Sequence, residues 1–328
     1  MRYGYTPHLA TWLNKNAHKY DAIVINGLWN YASLGSWRAL RRSRTPYYVF
    51  THGMIDPWFN SAYPLKTLAK RAFWRLFEHR VLRDAAGVLF TCEEERLRAR
   101  GAFHPYRARE FVVGYGARDL SGDSAVQIET FLKTAPGVIG RKFALFLGRL
   151  HEKKGINLLI EAFAKLASRH PDFDLVVAGP DQGGIRGRLH AQARGLGLET
   201  RIHWPGMLSG DAKSGALRAA RFFVLPSHQE NFGISVAESL AAGTPVLITD
   251  KVNIWREIVA DGAGLVVADT SAGIETGLAS MFALSEAERS RMADAARRSF
   301  LSRFDIEKNA LDLLRLVRNR QDPPANAV

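Results

Sequence analysis

PSHQENFGISVAESLAAGTPV (226–246) holds the densest structural information in the chain. The apolar run FFVLPS (222–227) ends at Pro226, a polar loop carries Glu230, and Gly233 stands just before a segment with helical spacing. Glycine at such a turn lets the backbone take a left-handed conformation and approach a ligand closely. The spacing predicts a helix that begins near Ile234 and Ser235 and carries Glu238. The first N–H groups of a helix lack partners within it, and that end of the dipole is positive, so this start suits a diphosphate. Glu230 and Glu238 can each accept hydrogen bonds from hydroxyls, as a sugar and a ribose would offer. An isolated glutamate pair at a helix start is more often two solvated charges favoured by the dipole. Here the pair flanks a glycine turn at the carboxyl end of a strand, where open α/β sheets bind their ligands. That placement favours the binding reading.

On both sides of this stretch the second half alternates apolar runs with helical patterns. The runs are FALFLGRL (143–150), FDLVVAG (173–179), RIHWPG (201–206), FFVLPS (222–227), PVLITD (245–250) and GLVVA (264–268). INLLIEAFAKLASRH, beginning at Ile156, repeats apolar residues at three- and four-residue spacing. Strands apolar on both faces and joined by helices imply a parallel sheet of βαβ units, here a complete doubly wound domain. The first half has the same habit with fewer runs: AIVINGLW (22–29), YYVFTHG (47–53), GVLFTC (87–92) and FVVGYG (111–116). Residues 117–142 show little periodicity and read as an interdomain linker, and FDIEKNALDLLRLVRNR (304–320) reads as an amphipathic helix before a frayed tail.

FLGRLHEKKGINLLIEAF (146–163) is the second segment that carries chemistry. Gly148 and Arg149 close a strand, and Lys154 with Gly155 opens the next helix. Two cations at one strand edge can clamp a diphosphate and stabilise the charge that grows on it as it leaves. A Lys-Lys pair is usually just exposed surface; Arg149, at a strand end in apolar surroundings, is harder to dismiss.

With Glu230 and Glu238 separated by seven residues and GRLHEKKG upstream, the chain resembles the family-4 retaining glycosyltransferases of GT-B fold, and the match runs through the whole second half in order. The resemblance implies two Rossmann-like, doubly wound parallel-sheet domains facing across a cleft. It assigns Arg149 and Lys154 to the donor diphosphate, Glu230 to the transferred sugar and Glu238 to the ribose, with main-chain groups at Gly233 and Ile234 in support and Gly148 as a further donor-binding residue. AGPD (178–181) and WPGM (204–207), the latter ending at Met207, stand where the family has its nucleotide-lining loops. VFTHGMIDPW (49–58) is similar to a segment of polysaccharide-building bacterial members, which implies that His52 lies beside the donor sugar, opposite Glu230. A histidine at a strand end is also often no more than a satisfied hydrogen-bonding residue. INGLWNY (25–31) and FTCEEE (90–95) add Asn26 and Glu94 as weaker candidates. Family members begin with a strand and a glycine-rich loop, and nothing before Asp21 resembles them, so the first domain is expected to be incomplete.

The expected domains are 1–140, an acceptor-side domain with linker; 141–304, the nucleotide-sugar domain; and 305–328, a helix returning to the first domain and then the tail. The expected reaction moves a hexose from a nucleoside diphosphate, with retention and without a required metal, to a saccharide or a polyprenyl-diphosphate-linked saccharide. Bacterial surface polysaccharide assembly is the expected context, on the resemblance alone. The nucleotide sugar is a co-substrate, and neither a resident cofactor nor a metal site is expected.

Composition sets the outer bounds. With 328 residues, 47% hydrophobic and 23% charged, the chain is long enough for two ordinary globular domains or one large one. One cysteine, Cys92, permits no intrachain disulfide, which points to a reducing compartment. The N-terminal residues carry no signal-like apolar core, and no run approaches the ~18 apolar residues of a membrane span. A cytoplasmic protein follows, with peripheral contact at the inner face of the cytoplasmic membrane as a further expectation. The formal net charge of +13 suits a polyanionic partner, an anionic membrane surface or phosphate-bearing substrates.

Two signals are discounted. Asp172-Phe173-Asp174 is a DxD tripeptide, but it precedes a strand and reads as a turn on the amino edge, away from the cleft. LKTLAKRAFWRLFEHRVLR (65–83) gathers Leu65, Leu68, Ala69, Ala72, Phe73, Leu76 and Phe77 on one helical face. That face is expected to pack on the first sheet, with the basic side turned to a membrane or to a pyrophosphate-bearing acceptor. Two rival readings stand beside the enzyme. A catalytically silent nucleotide-sugar-binding remnant or partner subunit is separated from it by the sequence upstream. A basic nucleic-acid-binding protein is separated by salt-dependent binding to DNA or RNA, although no nucleic-acid module is present and no such partner is expected.

Overall fold

The computed structural model describes residues 4–58 and 64–318 and divides into two compact units: residues up to Tyr115 together with those from Glu307, and Gly116–Ile306. Both are α/β. The first holds a parallel sheet in the order β1 (Ile23–Asn26), β2 (Tyr47–Phe50), β3 (Gly87–Phe90), β4 (Glu110–Val112). The second holds β5 (Lys142–Leu147), β6 (Phe173–Ala178), β7 (Ile202–Gly206), β8 (Phe222–Leu225), β9 (Val246–Thr249) and β10 (Gly264–Val267), all parallel, in the order β10-β9-β8-β5-β6-β7. Every residue of β6 and β8 is buried, as strands covered by helices on both faces require. β5 pairs with both β6 and β8, so the order reverses there, and a crevice opens beyond the carboxyl ends of those strands.

The first unit is built around large aromatics. Phe103 packs against Trp29 and Trp74, with ring centroids 5.2 and 5.1 Å apart. On the other face of the sheet, Leu313, Leu316 and Val317 of the helix Ile306–Arg318 cover Tyr48, Phe50 and Leu89. Asn309 on that helix donates to the Tyr115 carbonyl at 3.0 Å. The unit boundaries fall at Tyr115/Gly116 and Ile306/Glu307. The tail at 321–328 lies outside the described residues.

Three expectations need correction. Residues 117–142 are not a bare linker, because Asp123 caps a helix, Ser124–Thr134, that belongs to the second unit. Its Gln127 is buried between Asp211 at 3.1 Å and Arg218 at 2.9 Å. Only Gln127 and Phe131 on this helix are buried, so its apolar face is too narrow to show as a period. The DxD tripeptide is not a turn throughout. Asp174 is a buried strand residue that accepts from Arg141, Arg201 and His203, while Asp172 pairs with Lys142 at 2.8 Å.

The third correction concerns the helical stretch from Pro64 to Arg83. A π-helical turn at Trp74–Glu78 interrupts it. Trp74, Glu78, Val81 and Leu82 are buried, whereas Leu68, Ala69, Ala72 and Leu76 are exposed. A π turn adds a residue and rotates everything beyond it, so a pattern extended at a constant period through this point picks the wrong face. Phe73 and Phe77 still pack against the core, and the side chain of Leu65 lies outside what is described. Among the described residues, no helix is long and apolar enough to cross a membrane.

Candidate functional site

At the reversal point of the second sheet, the chain leaving β5 and the chain leaving β8 build one pocket. After β5, Gly148 and Arg149 lead into a short 3-10 turn, Glu152–Lys154, which ends at Gly155. The His151 ring accepts from the Lys153 amide at 3.1 Å and caps the turn. Gly155 is left-handed, with φ of 63°, and a Cβ there would come within 2.1 Å of the Pro226 carbonyl oxygen. No other residue fits. This close approach brings the β5 turn against the end of β8, where the His228 amide donates to the Lys153 carbonyl at 2.8 Å.

After β8 the chain turns through Glu230 to Gly233, which is left-handed at φ 76° and precedes the helix Ile234–Ala241. Parallel bonding of Glu230 to the segment after β9 fixes the loop: its amide donates to Lys251 at 3.0 Å, and its carbonyl accepts from Asn253 at 3.0 Å.

Gly148, Arg149, Lys154, Met207, Glu230, Gly233, Ile234 and Glu238, the donor-side candidates from the sequence, all line this pocket of about 490 Å³. That volume lies within the usual range for small-molecule sites. Lys154 and Glu230, both largely buried, form an ion pair inside it. Glu238 accepts from Lys213 at 2.7 Å. Arg149 is exposed and donates to Gln182 at 2.8 Å. Cations, a helix start and two carboxylates at one strand switch suit a ligand that joins phosphate to hydroxyl-rich groups. Lys213 was missed in the sequence because it sits mid-helix among small residues, on Gly210–Ala219, where nothing marks a lysine as more than surface. Asp181 of AGPD accepts from the Ile185 amide at 3.0 Å just before the following helix, while Gly179 and Pro180 line the pocket.

His52 belongs to the first unit, in the loop after β2. It is a non-glycine residue at φ 48°, its ring stacks on Phe50 at 4.8 Å, and its Nε2 lies 2.9 Å from the Asn26 side-chain oxygen. Partial burial lowers its pKa below the ordinary value, against the pull of the Glu95 carboxylate. Asn26 and His52 are thus brought together. Glu94 pairs along its own helix with Arg98 at 3.0 Å. The neighbouring Glu95, passed over in the sequence, is buried beneath the His52 loop.

Comparison with known proteins follows this division of the chain. The family model of glycosyl transferases group 1 matches residues 132–299, and a glycosyl transferase 4-like domain model matches residues 1–116. The mannosylfructose-phosphate synthase of Agrobacterium fabrum is 36% identical over 123 residues, covering 36% of this chain and 27% of that protein. An alpha-D-kanosaminyltransferase of Streptomyces kanamyceticus is 29% identical over 192 residues, covering 58% and 49%. The match therefore spans about a quarter to a half of the length of these relatives. The structure of HepE from Anabaena, solved with UDP and glucose, superposes with a TM-score of 0.72 at 18% identity, covering 93% of this chain and 79% of that one. At that identity the likeness is one of fold.

Proposed function

The chain belongs to the glycosyl transferases group 1 family and has the GT-B type of fold, and from that premise we propose that it transfers a hexose, with retention at the anomeric carbon, from a nucleoside-diphosphate sugar to a saccharide or lipid-linked saccharide. The observation that carries this reading is the convergence of Arg149, Lys154, Glu230, Glu238 and the Gly233 helix start on one pocket at the strand switch. Arg149 and Lys154 hold the diphosphate, Glu230 the transferred sugar and Glu238 the ribose. As the bond from the anomeric carbon to the diphosphate breaks, the growing negative charge meets Arg149, Lys154 and the N–H groups at Ile234. The acceptor oxygen bonds to the same face of the sugar, and its proton passes to the leaving diphosphate. In this reading the protein's own cations neutralise the leaving group without a required metal, and His52 takes part in the reaction.

Leu68 and Leu76 are exposed on the helix that also exposes Arg71 and Arg75. An apolar and basic surface of this kind supports contact with an anionic membrane face, and with it a lipid-linked acceptor and a role in surface polysaccharide assembly.

Incubating the full chain with a panel of UDP-, GDP- and ADP-sugars and following sugar release or transfer tests the proposal. At least one donor should be turned over, with the product's anomeric configuration retained by NMR. Glu230→Ala should abolish turnover. Undiminished transfer by that variant overturns the assignment.

A further inference from the structure

We propose that Glu95 is a positioning residue for His52, clamping the turn that presents the imidazole at the edge of the first sheet. The proposal deepens the reading of His52 as a catalytic residue and rests on it. Glu95 lies in the helix Glu93–Ala99 that follows β3, and only 3% of it is exposed. One carboxylate oxygen accepts from the Thr51 hydroxyl and the Gly53 amide, each at 2.6 Å. The other accepts from the Thr91 amide at 2.8 Å and the Thr91 hydroxyl at 2.6 Å. Thr51 and Gly53 are the residues before and after His52, so a single carboxylate ties both sides of the histidine to the end of the neighbouring strand.

The clamp answers a specific difficulty. His52 and Gly53 are both left-handed, at φ 48° and 71°. Glycine takes that conformation freely, whereas histidine does so at a cost that the surroundings must hold down. Every group facing Glu95 in these bonds is a donor, which an ionised carboxylate satisfies and an amide cannot. The same helix grips the loop again further on, where Arg98 reaches Asp56 at 3.4 Å and Asp56 in turn accepts from the Trp58 amide at 2.8 Å. Held this way, the imidazole keeps its stacking on Phe50 and its bond to Asn26. The buried charge also favours the protonated ring, opposing the effect of burial.

Glu95→Gln is the direct test, because it keeps the shape and removes the charge. In the full-length protein the His52 C2–H resonance, assigned by its disappearance in His52→Gln, is followed through a pH titration. Glu95→Gln should shift that resonance and lower the pKa of His52. On the donor the wild type turns over, kcat should fall by ~10- to 100-fold, the scale of a small misplacement near reacting atoms, with KM changed less than about threefold. Thr91→Val, which removes the hydroxyl donor to Glu95 and keeps the side chain's shape, should give a smaller shift of the same sign and carries the test if Glu95→Gln does not fold. Lower thermal stability with an unmoved His52 resonance and unchanged kcat would make Glu95 merely structural and overturn the proposal; so would lost activity without any change at His52. If His52→Ala transfers sugar normally while Glu95→Gln still moves the resonance, the clamp stands and the role given to His52 falls.

Discussion

Lys154 and Glu230, 76 residues apart in the chain, form an ion pair across the point where the second sheet reverses its strand order. The pair holds the pocket's cation and its carboxylate against each other. A bound diphosphate would compete with Glu230 for the ammonium and free the carboxylate for the sugar hydroxyls. On the proposed function, binding of the donor and release of Glu230 would be linked through this one contact.

Removing the cation should weaken the chemical step more than binding. Lys154→Ala is expected to lower kcat by ~100- to 1,000-fold, the scale for losing one preorganised stabiliser of developing charge. Steady-state kinetics on the donor identified by the panel would check this. An unchanged kcat with only KM raised would place Lys154 in ground-state binding instead.

Glu238 should behave in the opposite way. Its carboxylate meets Lys213 at 2.7 Å, and its proposed partner is a ribose remote from the bond that breaks. Glu238→Gln should weaken nucleotide binding by ~10-fold, in line with a lost charged hydrogen bond, while kcat changes less than about threefold. Nucleotides lacking the ribose hydroxyls should show little difference between the wild type and this variant.

Asp174 is a stability determinant with a defined pH signature. Burial pushes its carboxyl up, but the hydrogen bonds from Arg141, His203 and Arg201 outweigh it and hold the group below its ordinary value of 3.8. A depressed folded value means that the contribution is fully present above about pH 4 and is lost as the pH falls further. Asp174→Ala should cost about 2–3 kcal/mol at neutral pH, somewhat under the figure for a fully buried pair, because its cationic partners stay partly in contact with water. Urea unfolding at pH 7 and pH 3 would check it, with the difference between variant and wild type shrinking at the lower pH.

Glu78 should give the reverse slope. It is fully buried, with one oxygen accepting from the Trp29 amide and the Ser33 hydroxyl, each at 2.8 Å, and the other oxygen without a partner among the described residues. Burial raises its pKa from 4.5 to about 7, against the lowering effect of those two bonds. The folded state thus holds a proton that the unfolded chain releases, so stability declines as the pH rises from about 4.5 to about 7. Glu78→Gln keeps a neutral acceptor there and should flatten that decline, with a gain of about 2–3 kcal/mol at pH 8 relative to the wild type. Thermal melts across pH 4–8 would detect the change in slope.

Much of the site was legible because its signals are local. Gly148-Arg149 and Glu230 through Glu238 stand at strand ends that short apolar runs announce, and parallel topology then gathers strand ends on one edge. What escaped depends on contacts made across the fold. Lys213 meets Glu238 only because its helix packs beside the Ile234 helix. Glu95 differs from Glu94 only in which side of a helix start faces the β2 loop, and three consecutive acids offer no period from which to choose. The helix at 124–134 hides its face because a glutamine, satisfied by Asp211 and Arg218, replaces the expected apolar residue. The face of the 64–83 helix is misread because a π turn breaks its period and an acid occupies the core.

Titration calorimetry of UDP, GDP and ADP against the wild-type chain and Arg149→Ala, with the matching nucleosides as controls, bears most directly on the diphosphate seat. At least one diphosphate should bind, its nucleoside should bind ~10-fold or more weakly, and Arg149→Ala should erase most of that difference. Nucleoside and diphosphate binding equally well, or a diphosphate preference untouched by Arg149→Ala, would contradict the assignment of this pocket.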